Sequence, residues 1–311
     1  MTKVRRLPND WERTLNRLLE VDAMNDSVMA SLRLSYQVLP NHLKLCFVYF
    51  SVFPKNTQIK FDYLLHAWTS EGFTPETTQE AFDVARSYID ELIDRCLMEV
   101  SKVSGDGRVK YCKMHDLLHD LALSESHKQT KCLLMPGKEL KKLPLRDCVD
   151  LCRISLIKNH ISEINETIQC RGLRTLLLWN NRNLTSISAC FLNNVGYLAV
   201  LDLSQTSIKS LPETVGNLKH LRFLNLSQTK IEKLPKSLAH VRSLQFLDVS
   251  LCKDLCELHS GIGEHKSMVY LNVKGCGNLK SLPMGISKLI IVKRKKYSQR
   301  KNYYQVSIFS G

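Results

Sequence analysis

Several features that would indicate other classes of protein are missing from this sequence of 311 residues. No apolar run reaches the ~18–20 residues needed to span a bilayer. The first ten residues, Met1–Asp10, lack the apolar segment of a signal peptide. We therefore expect a protein that is neither secreted nor membrane-spanning, located in the cytoplasm, with the nucleus as a second compartment.

Recognisable catalytic and phosphate-binding motifs are also absent. The sequence contains no G-x-S-x-G elbow, no H-E-x-x-H helix and no G-x-x-x-x-G-K-[ST] phosphate loop. The glycines at Gly105 and Gly107 are interpreted as part of a hairpin turn rather than a phosphate cradle. We expect no catalytic residues, no enzyme activity and no cofactor held by this chain alone.

The eleven cysteines are an odd count at irregular spacings. The closest pairs, Cys148/Cys152 and Cys252/Cys256, lack the second Cys/His pair that a structural zinc site needs. Cys252 and Cys276 fall at a position of the repeat described below where a small apolar residue is expected. We expect reduced thiols and no metal site.

Acidic residues are outnumbered, with 30 Asp and Glu against 44 Lys and Arg, which gives a net charge of +14. A basic protein invites a nucleic-acid interpretation. Much of the charge is local, however, in a tail at Lys293–Lys301 and a second stretch at Lys128–Lys142. A terminal basic run is usually a solvated tail, so we expect at most weak, nonspecific nucleic-acid binding through that tail.

What the sequence does contain is a pattern that repeats six times between Leu151 and Leu289. The copies have the form L-x-x-L-x-L and recur every 22–25 residues, as in a leucine-rich repeat. They begin at Leu151, Leu173, Leu198, Leu221, Leu244 and Met268. No copy can enclose its own leucines, so we expect a stacked solenoid of about six coils in which each coil covers the next.

The third and fifth residues of L-x-x-L-x-L alternate with the leucines and are expected on an open concave face. This face is a candidate binding surface, because aromatic residues are enriched at interfaces. Its predicted members are Trp179, Val200, Asp202, Phe223, Asn225, Phe246, Asp248, Tyr270 and Asn272. The alternative is that β-propensity alone places aromatic residues on strands.

The first 127 residues have the spacing of helices rather than repeats. Apolar periodicity predicts helices at about Asp10–Glu20, Ser27–Val38, Pro40–Phe50, Phe61–Glu71, Pro75–Leu97 and Met114–Ser124. Two strand-like runs, Met98–Val103 and Arg108–Lys113, flank the turn residues Ser104–Gly107. Short helices with a β-hairpin predict a winged helix, so the fold class is α+β multidomain.

Residues 32–73 (LRLSYQVLPNHLKLCFVYFSVFPKNTQIKFDYLLHAWTSEGF) and 113–122 (KMHDLLHDLA) carry a family resemblance. They resemble the winged-helix portion of plant disease-resistance proteins of the nucleotide-binding, leucine-rich-repeat class, including its Met-His-Asp motif at Met114, His115 and Asp116. The order of winged helix, motif and repeats is also that of the family. Expected domains are a winged helix (1–127), a basic linker leading into the solenoid (128–150), the repeats (151–290) and a basic tail (291–311).

The resemblance implies a C-terminal receptor fragment whose upstream nucleotide-binding domain would hold ADP or ATP with magnesium. It implies that His115 faces the β-phosphate of ADP, with Asp116 acting through the helix start. It also implies defence signalling through protein contacts. Implied partners are a pathogen effector, a guarded host protein or the receptor's own nucleotide-binding domain.

Three alternatives stay open from the residues themselves. A winged helix can bind nucleic acid, although Phe61–Glu71 carries few of the basic or amide residues of a groove-reading helix. The repeats can serve a scaffold without immune function. His115 and His119, four residues apart, can share a helix face as a metal pair or simply pack.

Overall fold

The computed structural model describes residues 25–75, 78–105, 107–129, 132–144, 151–165, 170–283 and 285–286. The predicted helix Asp10–Glu20, Cys148 and the basic tail Lys293–Lys301 lie outside the described residues. No helix in the described part of the chain is long and apolar enough to cross a membrane.

The N-terminal part combines helices with a three-stranded antiparallel sheet. Its elements are α1 (Asn25–Gln37), α2 (Asn41–Tyr49), a 3-10 turn (Phe50–Val52), β1 (Ile59–Lys60), α3 (Phe61–Glu71), α4 (Thr78–Asp94), β2 (Glu99–Val103), β3 (Val109–Lys113) and α5 (Asp116–Gln129). The sheet order is β1-β3-β2. Gly72 ends α3 in the left-handed conformation, with φ 81°, which a residue without Cβ adopts at little cost.

These elements follow the predicted ones closely, and the bounds of α3 agree with the prediction. The hairpin β2–β3 is the predicted wing. The helix after it begins at Asp116 rather than Met114 and runs five residues further. The short strand β1, which pairs with β3, was not predicted, because two residues are too few to show an alternating pattern.

The C-terminal part is a solenoid. Its elements are β4 (Cys132–Leu134), β5 (Arg153–Ser155), β6 (Glu163–Ile164), β7 (Thr175–Leu177), β8 (Ser186–Ile187), α6 (Ala189–Asn193), β9 (Val200–Asp202), β10 (Phe223–Asn225), β11 (Phe246–Asp248) and β12 (Tyr270–Asn272). Seven of its strands form one parallel sheet, in the order β12-β11-β10-β9-β7-β5-β4. Six strands match the six predicted copies. The seventh, β4, lies within the predicted linker 128–150 and pairs with β5.

Each coil turns after its strand through a residue in the left-handed conformation. The φ angle is 55–61° at five such positions and 75° at the sixth: Lys158, Asn180, Gln205, Gln228, Leu251 and Gly275. The next residue of the coil makes side-chain hydrogen bonds to the backbone. Asn181 donates to the carbonyls of Leu156 and Leu178, both at 2.8 Å.

Cys252 and Cys276 occupy that same hydrogen-bonding position in later coils. Their thiols donate to the carbonyls of Leu226 and Val249, both at 3.0 Å. The prediction of a small apolar residue at this position is therefore wrong, because the side chain there donates a hydrogen bond. The position requires a compact donor, which Asn, Thr or Cys can supply.

Two clusters of buried side chains form the core. One fills the solenoid with the leucines of the repeat. The other joins the N-terminal helices to side chains from the concave side of the solenoid sheet, including Val200, Phe223 and Phe246. The N-terminal part therefore packs into the concave face of its own solenoid.

The two neighbours Phe223 and Leu224 point to different cores, and both are fully buried. Leu224→Ala should lower the free energy of unfolding by about 2–5 kcal/mol, and Phe223→Ala by about 3–5 kcal/mol, because each leaves a cavity. Tyr197→Ala is the control, since Tyr197 is 60% exposed. Denaturant midpoints measure all three; a Phe223→Ala variant as stable as Tyr197→Ala would contradict the burial.

Candidate functional site

The helix α3 lies in the concave face of the solenoid and contacts it through one stripe of side chains. Tyr63 and His66 are three residues apart and so share a face of the helix. The Tyr63 ring meets the Phe223 ring edge-on at 5.1 Å between centroids. His66 lies 4.7 Å from Phe246 and 5.1 Å from Tyr270.

The opposite side of α3 faces the N-terminal core. Leu64, Leu65 and Trp68 are buried there, with Trp68 fully enclosed. The Trp68 ring packs edge-on against Phe50 at 6.2 Å. A helix that is buried on both sides acts as the joint between the two domains.

At the end of α3, the carboxylate of Glu71 is buried in a cluster of solenoid side chains. The guanidinium of Arg153 donates to both carboxylate oxygens, at 2.8 and 3.2 Å. The Thr175 hydroxyl donates to the same carboxylate. The guanidinium of Arg174 donates to the backbone carbonyl of Glu71 at 2.7 Å. The Glu71 carboxylate is thus buried away from water, and side chains of the solenoid supply its hydrogen bonds.

The charge on Arg153 is held by this pairing. Burial opposes the charged form, but the charge and hydrogen bonds of Glu71, together with Cys132 and Tyr49, outweigh burial and raise the pKa of Arg153. The guanidinium also lies over the rings of Tyr49 and Phe73, at 5.7 and 5.4 Å from their centroids. Arg153 therefore bridges α2, α3 and the loop after α3 to the second strand of the solenoid sheet.

The prediction of an open concave face is wrong, because α3 covers it. Six of the nine predicted members are buried: Val200, Asp202, Phe223, Asn225, Phe246 and Asp248. The other three, Trp179, Tyr270 and Asn272, are half-buried. The aromatic column itself is present, since Phe223, Phe246 and Tyr270 stack at 4.2 and 4.4 Å between centroids.

The acid and amide column beside the aromatic one is bonded within the protein. The amide of Asn225 donates to Asp202 at 3.1 Å, and that of Asn272 to Asp248 at 3.0 Å. Asp202 also accepts from the backbone and hydroxyl of Ser204, at 2.9 and 2.7 Å. These side chains brace the turn that follows each strand, as in an Asx turn. Their role here is structural rather than ligand-binding.

Titratable groups within the joint are shifted towards their neutral forms. Burial lowers the pKa of His66 to about 3, from an ordinary value of 6.5. Burial also raises the pKa of Asp202, although hydrogen bonds from Ser204 oppose the rise. The pKa of Tyr63 is raised by burial and further by the Asp202 carboxylate nearby.

The three residues of the Met-His-Asp motif have different environments. Met114 is buried in the N-terminal core, whereas His115 is exposed. Nδ1 of His115 accepts a hydrogen bond from the backbone N–H of Leu117 at 3.3 Å. Asp116 begins α5 and accepts from the amide of Asn56 at 3.0 Å. The motif thus presents one imidazole at the surface, anchored on either side.

His119 has a different role from His115. It is buried, and its Nε2 lies 2.8 Å from the carbonyl oxygen of Phe53, to which it donates in the matching tautomer. This bond removes His119 from the shared metal pair considered above. Among the described residues, no group of three or more His, Cys, Asp or Glu side chains could hold a metal ion.

Sequence reasoning missed the joint, although α3 carried a signal for it. Its eleven residues, FDYLLHAWTSE, include only two charged side chains, Asp62 and Glu71. A helix on the surface of a domain normally has a charged face. The same burial weakens the nucleic-acid alternative, because a helix enclosed by the solenoid cannot enter a groove in this arrangement.

The pKa of His66 makes the joint sensitive to acid. In the unfolded chain the imidazole takes up a proton below pH 6.5, while in the folded protein it stays neutral down to about pH 3. Stability is therefore lost as pH falls through this window, by about 1.4 kcal/mol per pH unit. His66→Phe should reduce the loss between pH 7 and pH 5 by about 2 kcal/mol. Urea denaturation at both pH values measures it, with the exposed His160→Gln as the control, and an unchanged pH dependence would contradict it.

Breaking the buried pair Glu71–Arg153 should destabilise the joint strongly. Glu71→Gln leaves the guanidinium buried without its counter-charge and should cost about 3–5 kcal/mol in unfolding free energy. The matched exposed pair is Lys113–Glu99, at 3.0 Å, where Glu99→Gln should cost less than about 1 kcal/mol. The double variant Glu71→Leu/Arg153→Met should recover most of the loss. Equal effects at the two pairs would show that Glu71 is solvated.

Comparison with known proteins supports the predicted order of a winged helix followed by leucine-rich repeats. Residues 52–122 match the family described as "Disease resistance protein Winged helix domain", and residues 153–291 match "Leucine-rich repeat region". Similar relatives in Arabidopsis thaliana include Disease resistance protein RPS5, 32% identical over 227 residues, covering 69% of this chain and 25% of the relative. Putative disease resistance RPP13-like protein 3 is 32% identical over 229 residues, with 69% and 26% covered. The chain spans about a quarter of the length of the curated relatives it matches, and it belongs to the family of disease-resistance proteins, of which it carries the winged helix and leucine-rich repeats.

Proposed function

We propose that this chain is the regulatory and recognition part of a plant immune receptor. Its solenoid holds the winged helix in place, and the winged helix presents His115 to a nucleotide-binding domain upstream. The observation that carries the proposal is that α3 fills the concave face while the Met-His-Asp histidine stays exposed. The chain then acts through contacts between domains and proteins rather than through catalysis.

The residues of this chain fit the edge of a nucleotide site rather than a whole one. His115 offers an exposed imidazole, which can donate to a phosphate oxygen. The sequence has no phosphate loop that would surround such a group. A bound nucleotide would supply the negative charge that this imidazole recognises. The first turn of α5, with Asp116 held by Asn56, would fix the direction in which the imidazole points.

A continuous set of contacts connects the solenoid to that helix. The Ser155 hydroxyl of β5 donates to the carbonyl of Val52. The adjacent carbonyl of Phe53 accepts from His119 of α5. Two successive carbonyls of one turn are therefore bonded to the solenoid and to the helix that begins at Asp116. This gives a physical route by which undocking of the solenoid would shift the histidine motif.

The experiment joins this chain to a compatible nucleotide-binding domain and measures leaf cell death and bound nucleotide. His115→Ala should cause cell death without a pathogen, because the resting state loses a charge-assisted hydrogen bond of about 1.5–3 kcal/mol. That loss shifts a two-state equilibrium by about one to two powers of ten. Glu71→Ala should act in the same direction by releasing the solenoid from α3.

The matched control is His127→Ala, which removes an exposed histidine from the same helix and should leave the chimera quiet. A chimera that responds to its elicitor but stays quiet and ADP-loaded with His115→Ala would overturn the role of the motif. If His115→Ala caused cell death but Glu71→Ala left the chimera quiet, the solenoid would not act as a restraint. The two halves of the proposal are thus tested separately.

We also propose that the receptor works in the cytoplasm. The described cysteines support this, since Cys190 is an exposed thiol with no disulfide partner. Free exposed thiols persist in a reducing compartment. Protein partners are proposed on the same terms, because a solenoid of repeats offers extended surface for contact.

A further inference from the structure

With the concave face occupied, exposed basic side chains remain on the side of the solenoid at the N-terminal ends of its strands, which we call its edge. Four basic residues lie four positions before the first residue of β7, β10, β11 and β12, and we call them the basic row: Arg171, Lys219, Arg242 and Lys266. All four are exposed. The strands pair in register, with Phe223 opposite Phe246 and Phe246 opposite Tyr270. Equivalent positions in neighbouring coils are therefore aligned, about 4.8 Å apart.

The basic row is not neutralised by the protein itself. None of the ion pairs found among the described residues includes any of its four members. One exposed ion pair elsewhere on the coils is Lys233–Glu257, at 3.3 Å. One acidic residue, Glu264, lies in the turn that carries Lys266. The row therefore presents a net positive strip along this edge of the solenoid, across the N-terminal ends of the strands.

An exposed aromatic pair adjoins the row. Tyr197 and His220 directly precede the repeats at Leu198 and Leu221. His220 follows Lys219 of the row, whereas the coil of Tyr197 has Gly196 at the equivalent position. Their rings stack at 5.0 Å between centroids with 15° between planes. Tyr197 is 60% exposed, the most exposed of the Phe, Tyr and Trp side chains among the described residues. Tyr and Arg are the residue types that most often carry the binding energy of protein interfaces.

We propose that the basic row and Tyr197 form a docking surface for an extended acidic segment of a partner protein. This inference rests on the proposed function, since it specifies how the solenoid recognises a partner. The row spans four coil steps, about 19 Å, which matches about six residues of extended chain. Carboxylates along such a segment would meet the long, exposed cationic side chains, and an apolar residue would pack on the exposed Tyr197 ring.

A single-stranded nucleic acid is the competing occupant, because its phosphates carry the same charge. Nucleic-acid surfaces usually offer aromatic rings on which successive bases stack. Here the two rings already stack on each other, and the row has no further aromatic residue. The geometry thus favours the peptide, and the nucleic acid becomes an outcome of the test.

The test measures binding of a fluorescein-labelled (Glu-Ser)5 peptide to the full chain by anisotropy at about 50 mM salt, where charge contacts are weakly screened. The triple variant K219Q/R242Q/K266Q should bind at least tenfold more weakly. The matched control K209Q/K230Q/K253Q removes three exposed lysines outside the row and should change binding less than twofold. Tyr197→Ala should weaken binding about fivefold. Thermal melting confirms that each variant is folded.

Three results would overturn the proposal. Absence of binding to the acidic peptide is the first. Equal losses from both triple variants would show that only net charge matters. Tighter binding of a dT10 oligonucleotide, lost on neutralising the row, would assign the surface to nucleic acid. None of these variants touches α3 or His115, so the cell-death results on Glu71 and His115 stand or fall independently.

Discussion

The arrangement of this protein depends on α3 being buried on both sides at once. Its Leu64 and Trp68 complete the core of the winged helix, while Tyr63 and His66 close the concave face of the solenoid. Neither domain could lose this helix without exposing its own apolar side chains to water. The buried carboxylate of Glu71 additionally fixes how the two domains are aligned at this apolar contact. A buried ion pair contributes little net stability compared with apolar residues, but it is costly to leave half-formed, so it favours one docking geometry over near alternatives.

The same features suit a joint that opens and closes as a unit. The polar contacts at the joint converge on a few atoms: Glu71 and Val52 are bonded to the solenoid, and the neighbouring Phe53 is bonded to α5. Breaking the pair at Glu71 also removes the contacts of Arg153 with two aromatic rings. The transition is therefore expected to be cooperative rather than gradual, because packed interfaces have discrete arrangements.

Much of the fold could be predicted from the sequence, because the repeat and the helical periodicities are local. The strand positions of six coils and the bounds of α3 followed from spacing alone. The direction of Phe223 and Phe246 was also predicted, but their surroundings were not. Period-two alternation indicates which side of a strand a residue faces and carries no information about what packs against that side. The strand β4 was missed for a related reason: its three residues pair with β5 without any copy of the leucine pattern.

Binding a partner and holding α3 in place use different residues of the solenoid. The two sets of residues, at the edge and on the concave face, meet at Arg174. A ligand entering the concave face must first displace α3, so its affinity is reduced by the whole free energy of docking. A ligand at the edge meets no such competitor, but it shifts the switch only if it binds the open and closed states with different affinity. Arg174 lies three residues after Arg171 of the basic row and donates to the Glu71 carbonyl at 2.7 Å with half its side chain exposed. A carboxylate reaching Arg174 would compete with that bond, which provides the differential contact that edge binding alone lacks.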